Sequence, residues 1–275
     1  MKKVTLTIKY IILILLSLIF LFPIIYMLAN SVMSSAEISS AYNTAKEGYM
    51  TFKLIPNEFT LEQFYDVFFK APDFLIMFWN SVISTLPTVI GQVAVSSLAA
   101  FAFGKLNFPG RDKIFFFYMV LLILPIQVTL VPNYILLRDM NLLNNFLAII
   151  LPGTFSAFGI CLLRQSIRYI PYETIEAAFV EGASHIRVFF KIILPQIKGS
   201  LITLIILVFI DNWNIIEQPL IYFTDTQKFP LSLGLSLLGD GSNGIVFACS
   251  VLFMMPALIV YFLGQKHFSS PFARN

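Results

Sequence analysis

Residues 10–29 read YIILILLSLIFLFPIIYMLA, twenty consecutive positions without a charge. At about 1.5 Å rise per residue, about 20 apolar residues carry a helix across the hydrocarbon core of a bilayer. The composition extends this reading to the whole chain. Of its 275 residues 58% are hydrophobic and 12% charged, and the mean hydropathy is +0.83. Soluble domains carry about 25% charged residues. A soluble globular enzyme and a disordered chain are therefore excluded. A net charge of only +3 leaves no basic footprint for nucleic acid. Five more apolar stretches follow, at about 74–103, 114–137, 146–163, 201–223 and 244–263. The expected fold is all-α, a polytopic membrane protein with six transmembrane helices in one domain over residues 1–275. Pro23, Pro87, Pro125, Pro132, Pro152 and Pro256 fall inside these stretches. Membrane helices tolerate them where neighbours satisfy the freed carbonyls. Lys2 and Lys3 precede the first stretch as they would a signal peptide, but a signal core has about 7–15 residues. The stretch is read as a retained span.

The basic residues orient the chain. With the N-terminus in the cytoplasm, 13 of the 18 Lys and Arg face inward, from Lys2, Lys3 and Lys9 through Lys105, Arg111, Lys113, Arg164, Arg168, Arg187, Lys191 and Lys198 to Lys266 and Arg274. Lys46, Lys53, Lys70, Arg138 and Lys228 face out. This is the positive-inside asymmetry, and it puts both termini in the cytoplasm.

No G-x-x-x-x-G-K-[ST] loop is present to cradle a nucleotide, and no H-E-x-x-H or Cys/His cluster to hold a metal. Cys161 and Cys249 each lie in apolar surroundings and read as small packing residues. Acidic residues are nearly absent from the span centres, where an ion-coupled carrier needs them. No catalytic residue is expected, and the energy source is expected on another subunit.

The longest inward loop, 164–199, reads RQSIRYIPYETIEAAFVEGASHIRVFFKIILPQIKG. Pro171 suits the first turn of a helix, and Glu173 and Glu176 favour its positive end. Tyr172, Ile175 and Phe179 share a face. Gly182 stops this helix at a left-handed position. A second helix begins near Ser184, with Ile186, Phe189, Phe190 and Ile193 as its apolar stripe. Ser184, Arg187 and Lys191 oppose that stripe, and Pro195 marks the end. Periodicity alone leaves two readings open, an interfacial hairpin on anionic lipid and a docking site for a partner.

Glu176-Ala177-Ala178, then Gly182, then Leu194-Pro195 resembles the EAA loop of permeases of bacterial ABC importers. Arg164-Gln165, Ile170-Pro171-Tyr172-Glu173, SSLAAFAFGKLNFPGRD (96–112) and LPIQVTLVPNYILL (124–137) fit the same pattern, so the resemblance covers about 56 to the C-terminus. Glu181 departs from it, standing where the family more often has Asp. The likeness is to the carbohydrate-uptake, MalG-like branch. It implies a permease of the bacterial cytoplasmic membrane, surrounded by lipid. It implies a second homologous permease, two ATPase subunits and an extracytoplasmic sugar-binding protein. ATP and Mg would sit on the ATPases, with no cofactor on this chain. The resemblance assigns ATPase coupling to Glu176, Ala177, Ala178, Gly182, Ser184, Ile186, Arg187, Phe189, Phe190 and Pro195. The solute is expected to be a sugar, with glycerol phosphate as an alternative. An ATP-independent carrier and a non-transport assembly protein are the rivals from other classes.

Residues 30–73 form an external segment. Thr60 and Gln63 make a capping-box pattern, which predicts a helix over 61–69 with Leu61, Phe64, Tyr65 and Phe68 on one face. That face either rests on the membrane or meets the binding protein. Near the outer end of the fifth span, Asp211, Asn214 and Gln218 fall at i, i+3, i+7, with Trp213 and Glu217 beside them. They either line the translocation path or mark a helix end among the headgroups. Trp213 is read both as a surface for a sugar ring and as an interfacial anchor.

The orientation has a direct test in a background with Cys161 and Cys249 replaced. An impermeant thiol reagent on intact cells should label Ser39→Cys and leave Ser184→Cys unmodified; the opposite pattern overturns the inward placement of the loop.

Overall fold

The computed structural model describes residues 2–46, 53–237 and 244–267, and among these all regular structure is helical. In chain order the helices are α1 (Lys2–Ser31), α2 (Ser35–Lys46), α3 (Glu62–Phe69), α4 (Pro72–Lys105), α5 (Arg111–Leu121), α6 (Ile126–Asp139), α7 (Leu147–Gly153) and α8 (Ala157–Arg168). They continue with α9 (Tyr172–Val180), α10 (His185–Val188), a π-helical turn at Phe189–Ile193, α11 (Leu194–Gln196), α12 (Lys198–Trp213), α13 (Glu217–Tyr222), α14 (Leu231–Leu237) and α15 (Ile245–Gly264).

Among the described residues four stretches are long and apolar enough to cross a membrane: Leu6–Ser31, Pro72–Lys105, Leu147–Arg168 and Ile245–Gly264. Two bent pairs bring the number to six. The third expected span, 114–137, is not straight, because α5 and α6 meet at 103°. Pro125 causes this: it has no N–H to continue the ladder and drives the preceding residue out of the helical region. The fifth expected span, 201–223, stops at Trp213 and resumes at Glu217. Here asparagines compete for the helix carbonyls, Asn212 Nδ2 donating to Val208 O (2.9 Å) and Asn214 Nδ2 to Ile210 O (2.7 Å).

The chain forms two compact units. The first comprises Met1–Ile76 and Gly234–Met255. Over 10–25 its α1 carries no charge and presents its side chains outward, as a lipid-facing helix must. Gln63 on α3 is 0% exposed and donates Nε2 to Asn30 O (3.3 Å) and to Met33 O. This corrects the capping box: Gln63 ties α3 to the end of α1, while Thr60 Oγ1 alone accepts the Glu62 N–H at 3.1 Å. The helix begins at Glu62, and its buried face is Gln63 with Val67. Leu61, Tyr65 and Phe68 are exposed. Residues 47–52 of the expected external segment lie outside the described residues.

The second unit comprises Met77–Leu233 and Pro256–Asn275. Its centre is α4, which buries Ser81, Ser84, Thr85, Thr88, Gln92 and Ser96 along one stripe. The stripe permits close approach. A Cβ added at Gly153 would stand 2.5 Å from Thr88 Cγ2, so only glycine fits where α7 crosses α4. The hydroxyls bond back into their own helix, Ser84 to Asn80 O (2.8 Å) and Thr88 to Ser84 O (2.7 Å). Others reach across, as Thr85 Oγ1 donates to Asn212 O at 3.3 Å.

In the first unit Lys53 Nζ lies 2.7 Å from Glu37 Oε1, which also accepts the Asn57 N–H at 2.9 Å. The bond to Lys53, with the Asn57 amide and the lysine charge, outweighs desolvation and holds the Glu37 pKa below the usual value. The folded pKa is depressed, so this contribution is fully present above the unfolded value, about pH 4.3. It is lost as pH falls below that and through the depressed pKa. The protection factor of the Asn57 amide, its exchange rate relative to the intrinsic rate at the same pH, should therefore fall on acidification, and Glu37→Gln should remove that fall and show the lower protection already at neutral pH.

Candidate functional site: a cavity at three helix breaks and the 164–199 loop

The three interruptions of the spans converge. Leu122 and Leu124 from the α5–α6 bend, Phe155 and Ser156 from the α7–α8 break, and Asn214 to Ile216 from the α12–α13 break line one cavity of about 1090 Å³. Its polar groups include Gln92, Asn133, Ser156, Asp211, Asn214, Glu217 and Gln218, and among the described residues no Lys, Arg or His lines it. Breaks in membrane helices are sustained where the freed backbone faces a cavity, and such breaks commonly frame substrate sites. Gln127, just past the α5–α6 bend, donates Nε2 to Glu217 Oε1 at 3.0 Å and so joins two of the breaks.

Asp211, Asn214, Glu217 and Gln218 thus lie together on the cavity wall. They do not form one helical stripe, since the helix ends between them. Trp213 is a correction. It is 2% exposed, stacked on Phe209 (5.4 Å) and edge-on to Phe78 (5.8 Å). A buried ring packed on two aromatics offers no face to a sugar. Gln92, on the α4 stripe, was missed; the signal was a polar residue recurring at helical spacing inside a span.

The loop is built as two short helices at a corner. Pro171 caps α9, with Glu173 in the first turn; Glu176 and Ala177 are exposed and Ala178 is half-buried. Gly182 has φ +82°. The Ala183 N–H donates to Ala178 O (2.9 Å) and the Gly182 N–H to Phe179 O (3.0 Å), the paired bonds of a Schellman end. Ser184 Oγ then accepts the Arg187 N–H at 3.3 Å and starts α10. The expected stripe of Ile186, Phe189, Phe190 and Ile193 is split, because the π turn over 189–193 has a wider period than an α-helix. Phe189 (4% exposed) packs 5.5 Å from Phe101 on α4, and Ile193 is buried. Ile186 (71%) and Phe190 (58%) point out, and Val180 at the end of α9 is exposed as well. Arg187 is exposed on the same short helix. Pro195 does not end the helix; it sits inside α11, and the chain turns by 79° at the next break, around Ile197.

Two bases seat the loop. Lys105, the last residue of α4, is buried and donates Nζ to Ile170 O (2.5 Å) and Arg168 O (3.5 Å), closing the carbonyl end of α8. Arg164 donates Nε to Phe103 O (3.1 Å) and lies 3.6 Å over the Phe115 ring. The loop connects to the cavity through α8 and α12, joined by Ser166 Oγ and Ser200 Oγ at 2.6 Å. The role of Lys105 could not be read from its position in an apolar run.

Residues 67–270 match the family described as the binding-protein-dependent transport system inner membrane component. The chain belongs to this family. Among relatives of this permease, the arabinooligosaccharides transport system permease protein AraQ of Halalkalibacterium halodurans is 30% identical over 78% of this chain and 77% of that one. The sn-glycerol-3-phosphate transport system permease protein UgpE of Pectobacterium atrosepticum is 32% identical over 71% of each. The crystal structure of a bacterial ABC transporter involved in import of the acidic polysaccharide alginate contains a chain of the same fold. It has a TM-score of 0.84 and 24% identity, covering 97% of both chains. The chain is therefore a multi-pass permease of an importer that works with a binding protein.

Removing the Lys105 ammonium would leave two carbonyls without their partner. Charged hydrogen bonds contribute about 1.5–3 kcal/mol, and Lys105→Met should raise local opening of the loop roughly 10- to 150-fold. Tryptic cleavage at Arg168 and Arg187 should accelerate accordingly, with the helix content unchanged.

Proposed function

We propose that this permease translocates a neutral sugar or oligosaccharide through the cavity at the three helix breaks. The cavity is the observation that carries the reading. Its volume of about 1090 Å³ suits a solute of several sugar units, and its amides, hydroxyls and carboxylates match a hydroxyl-rich ligand. Asp211, Asn214, Glu217 and Gln218 are assigned to the path, and Asp211 and Glu217 as acceptors for hydroxyl protons. The glycerol phosphate of the UgpE relative is disfavoured, because a phosphate would face two carboxylates and no base on this wall.

Energy comes from ATPase subunits that meet the 164–199 loop from the cytoplasm, and both termini lie on that side. ATP and Mg belong to those subunits and no cofactor to this chain. A second homologous permease completes the pore. The exposed Val180, Ile186 and Phe190 are the surface offered to the ATPase, and buried Phe189 transmits its displacement to α4. Gly182 holds the corner, with Glu176, Ala177, Ala178, Ser184, Arg187 and Pro195 shaping the two helices around it. What supports this is the division of adjacent aromatics, one into the spans and one out of them.

Uptake of radiolabelled saccharides by proteoliposomes containing the full importer tests the reading. Import should require ATP; uptake that follows an ion gradient without ATP overturns it. Asp211→Asn should weaken saccharide import without reducing membrane abundance. Phe190→Ala should leave the fold intact and release the ATPase, a loss of about 2–4 kcal/mol for a buried anchor, or roughly 30- to 1,000-fold in affinity. Phe189→Ala should instead destabilise the permease by about 3–5 kcal/mol through its cavity. Gly182→Val strains a left-handed position and should abolish uptake with normal insertion.

A further inference from the structure

A second cleft, of about 560 Å³, opens between α5 and α8, away from the three breaks. Arg164, Gln165, Arg168 and Tyr169 form its polar lining (the rim), and Phe115, Met119 and Cys161 its apolar lining (the floor). The charge around it is unbalanced. Asp112 is bonded to Arg111 at 3.2 Å and lies 3.8 Å from Arg164. One carboxylate therefore serves two guanidiniums. Arg168 acts electrostatically on Lys105, Arg164 and Asp112, and its guanidinium makes no hydrogen bond or ion pair among the described residues. Arg164 spends Nε on Phe103 O and its face on Phe115, which fixes the guanidinium and leaves Nη donors at the rim. A pre-oriented arginine beside an exposed one, with an amide and a phenol between, is a donor set for phosphate oxygens.

The cleft also has two levels along α8. Arg168 ends the helix, and Cys161 lies about two turns earlier on it. Met119 lies near the far end of α5, its sulfur 3.2 Å from the Cys161 sulfur. A soluble anion needs the rim alone, whereas a phospholipid uses both levels. We propose that this cleft binds a phosphate-bearing anion, the headgroup of an anionic phospholipid, with its chains against Met119 and Cys161. Basic pockets between membrane helices favour such headgroups. The site adjoins the Arg168–Ile170 turn held by Lys105, so the bound lipid braces the entry to the 164–199 loop. The inference does not depend on which solute is carried.

The test uses the full chain in phosphatidylcholine nanodiscs, reading the unfolding temperature as phosphatidylglycerol is titrated in. A parallel arm adds inorganic phosphate to phosphatidylcholine discs. Arg168→Gln removes only an exposed guanidinium, and an unchanged unfolding temperature in pure phosphatidylcholine verifies its fold. The expected result is a rise with phosphatidylglycerol that Arg168→Gln abolishes and Arg168→Lys keeps in part. Cys161→Phe, which fills the floor and leaves every charge, should also abolish the lipid effect. A rise with inorganic phosphate that Arg168→Gln removes and Cys161→Phe spares supports the anion site with a soluble source. No rise with either, or a rise indifferent to Arg168→Gln, overturns the proposal.

Discussion

A peptide carbonyl released from a helix inside hydrocarbon finds no water, and leaving it without a partner costs several kcal/mol. This constraint decides where a membrane-spanning chain can be interrupted. Here the interruptions at 122–125, 154–156 and 214–216 all face one cavity, while the 79° break around Ile197 lies at the 164–199 loop. The cavity is the place where irregular backbone is tolerated. The breaks are in turn what opens it, because a straight helix presents side chains and no main-chain groups. Pro125 creates the first of these breaks chemically and Asn212 with Asn214 the third, and the cavity makes all three affordable.

The same constraint inverts the amphipathic logic of α4. In water the apolar stripe of a helix is the buried one. On α4 the small polar residues are buried, from Ser81 to Ser96. The hydroxyls of Ser84 and Thr88 bond their own helix and that of Thr85 reaches a neighbour, while Ser96 Oγ is buried without a partner among the described residues. The small volume of the stripe lets α7 cross closely at Gly153. Small residues with satisfied hydroxyls are how helices associate when lipid offers no hydrophobic incentive. The stripe also carries Gln92 to the cavity wall, so packing and site share one face.

The coupling proposed between the 164–199 loop and the cavity has a physical route through rigid pieces. Lys105 and Arg164 fasten the turn before α9 to the end of α4, and Phe189 packs on Phe101 of the same helix. Both α8 and α12 lead from the loop to a break, and Ser166 and Ser200 join them near their loop ends. A displacement of the loop therefore reaches two of the three breaks along helices of 12 and 16 residues. The breaks are where such a movement can be absorbed, since they lack a continuous hydrogen-bond ladder.

Fold class and much of the loop were legible in the sequence, because both depend on local rules. Twenty uncharged residues at 10–29 span a bilayer whatever surrounds them, and a glycine six residues after Glu176 takes a left-handed turn because other residues resist it. Family resemblance was carried by contiguous motifs, and the match over 67–270 has the same basis. Side-chain partners were a different matter. Gln63 looked like half of a capping box and is instead a clamp on the end of α1, since a buried pair of carbonyls 30 and 33 residues earlier offered it two bonds. Trp213 looked available to a ligand and is packed between Phe209 and Phe78. The stripe of Ile186, Phe189, Phe190 and Ile193 was split by a π turn that no residue pattern announces. Local sequence determines which segments are helical and where they must stop, through backbone geometry and transfer from water. Which side chains are buried, paired or left facing out is decided by segments distant in sequence competing for the same space and the same hydrogen bonds, and only the tertiary structure resolves that competition.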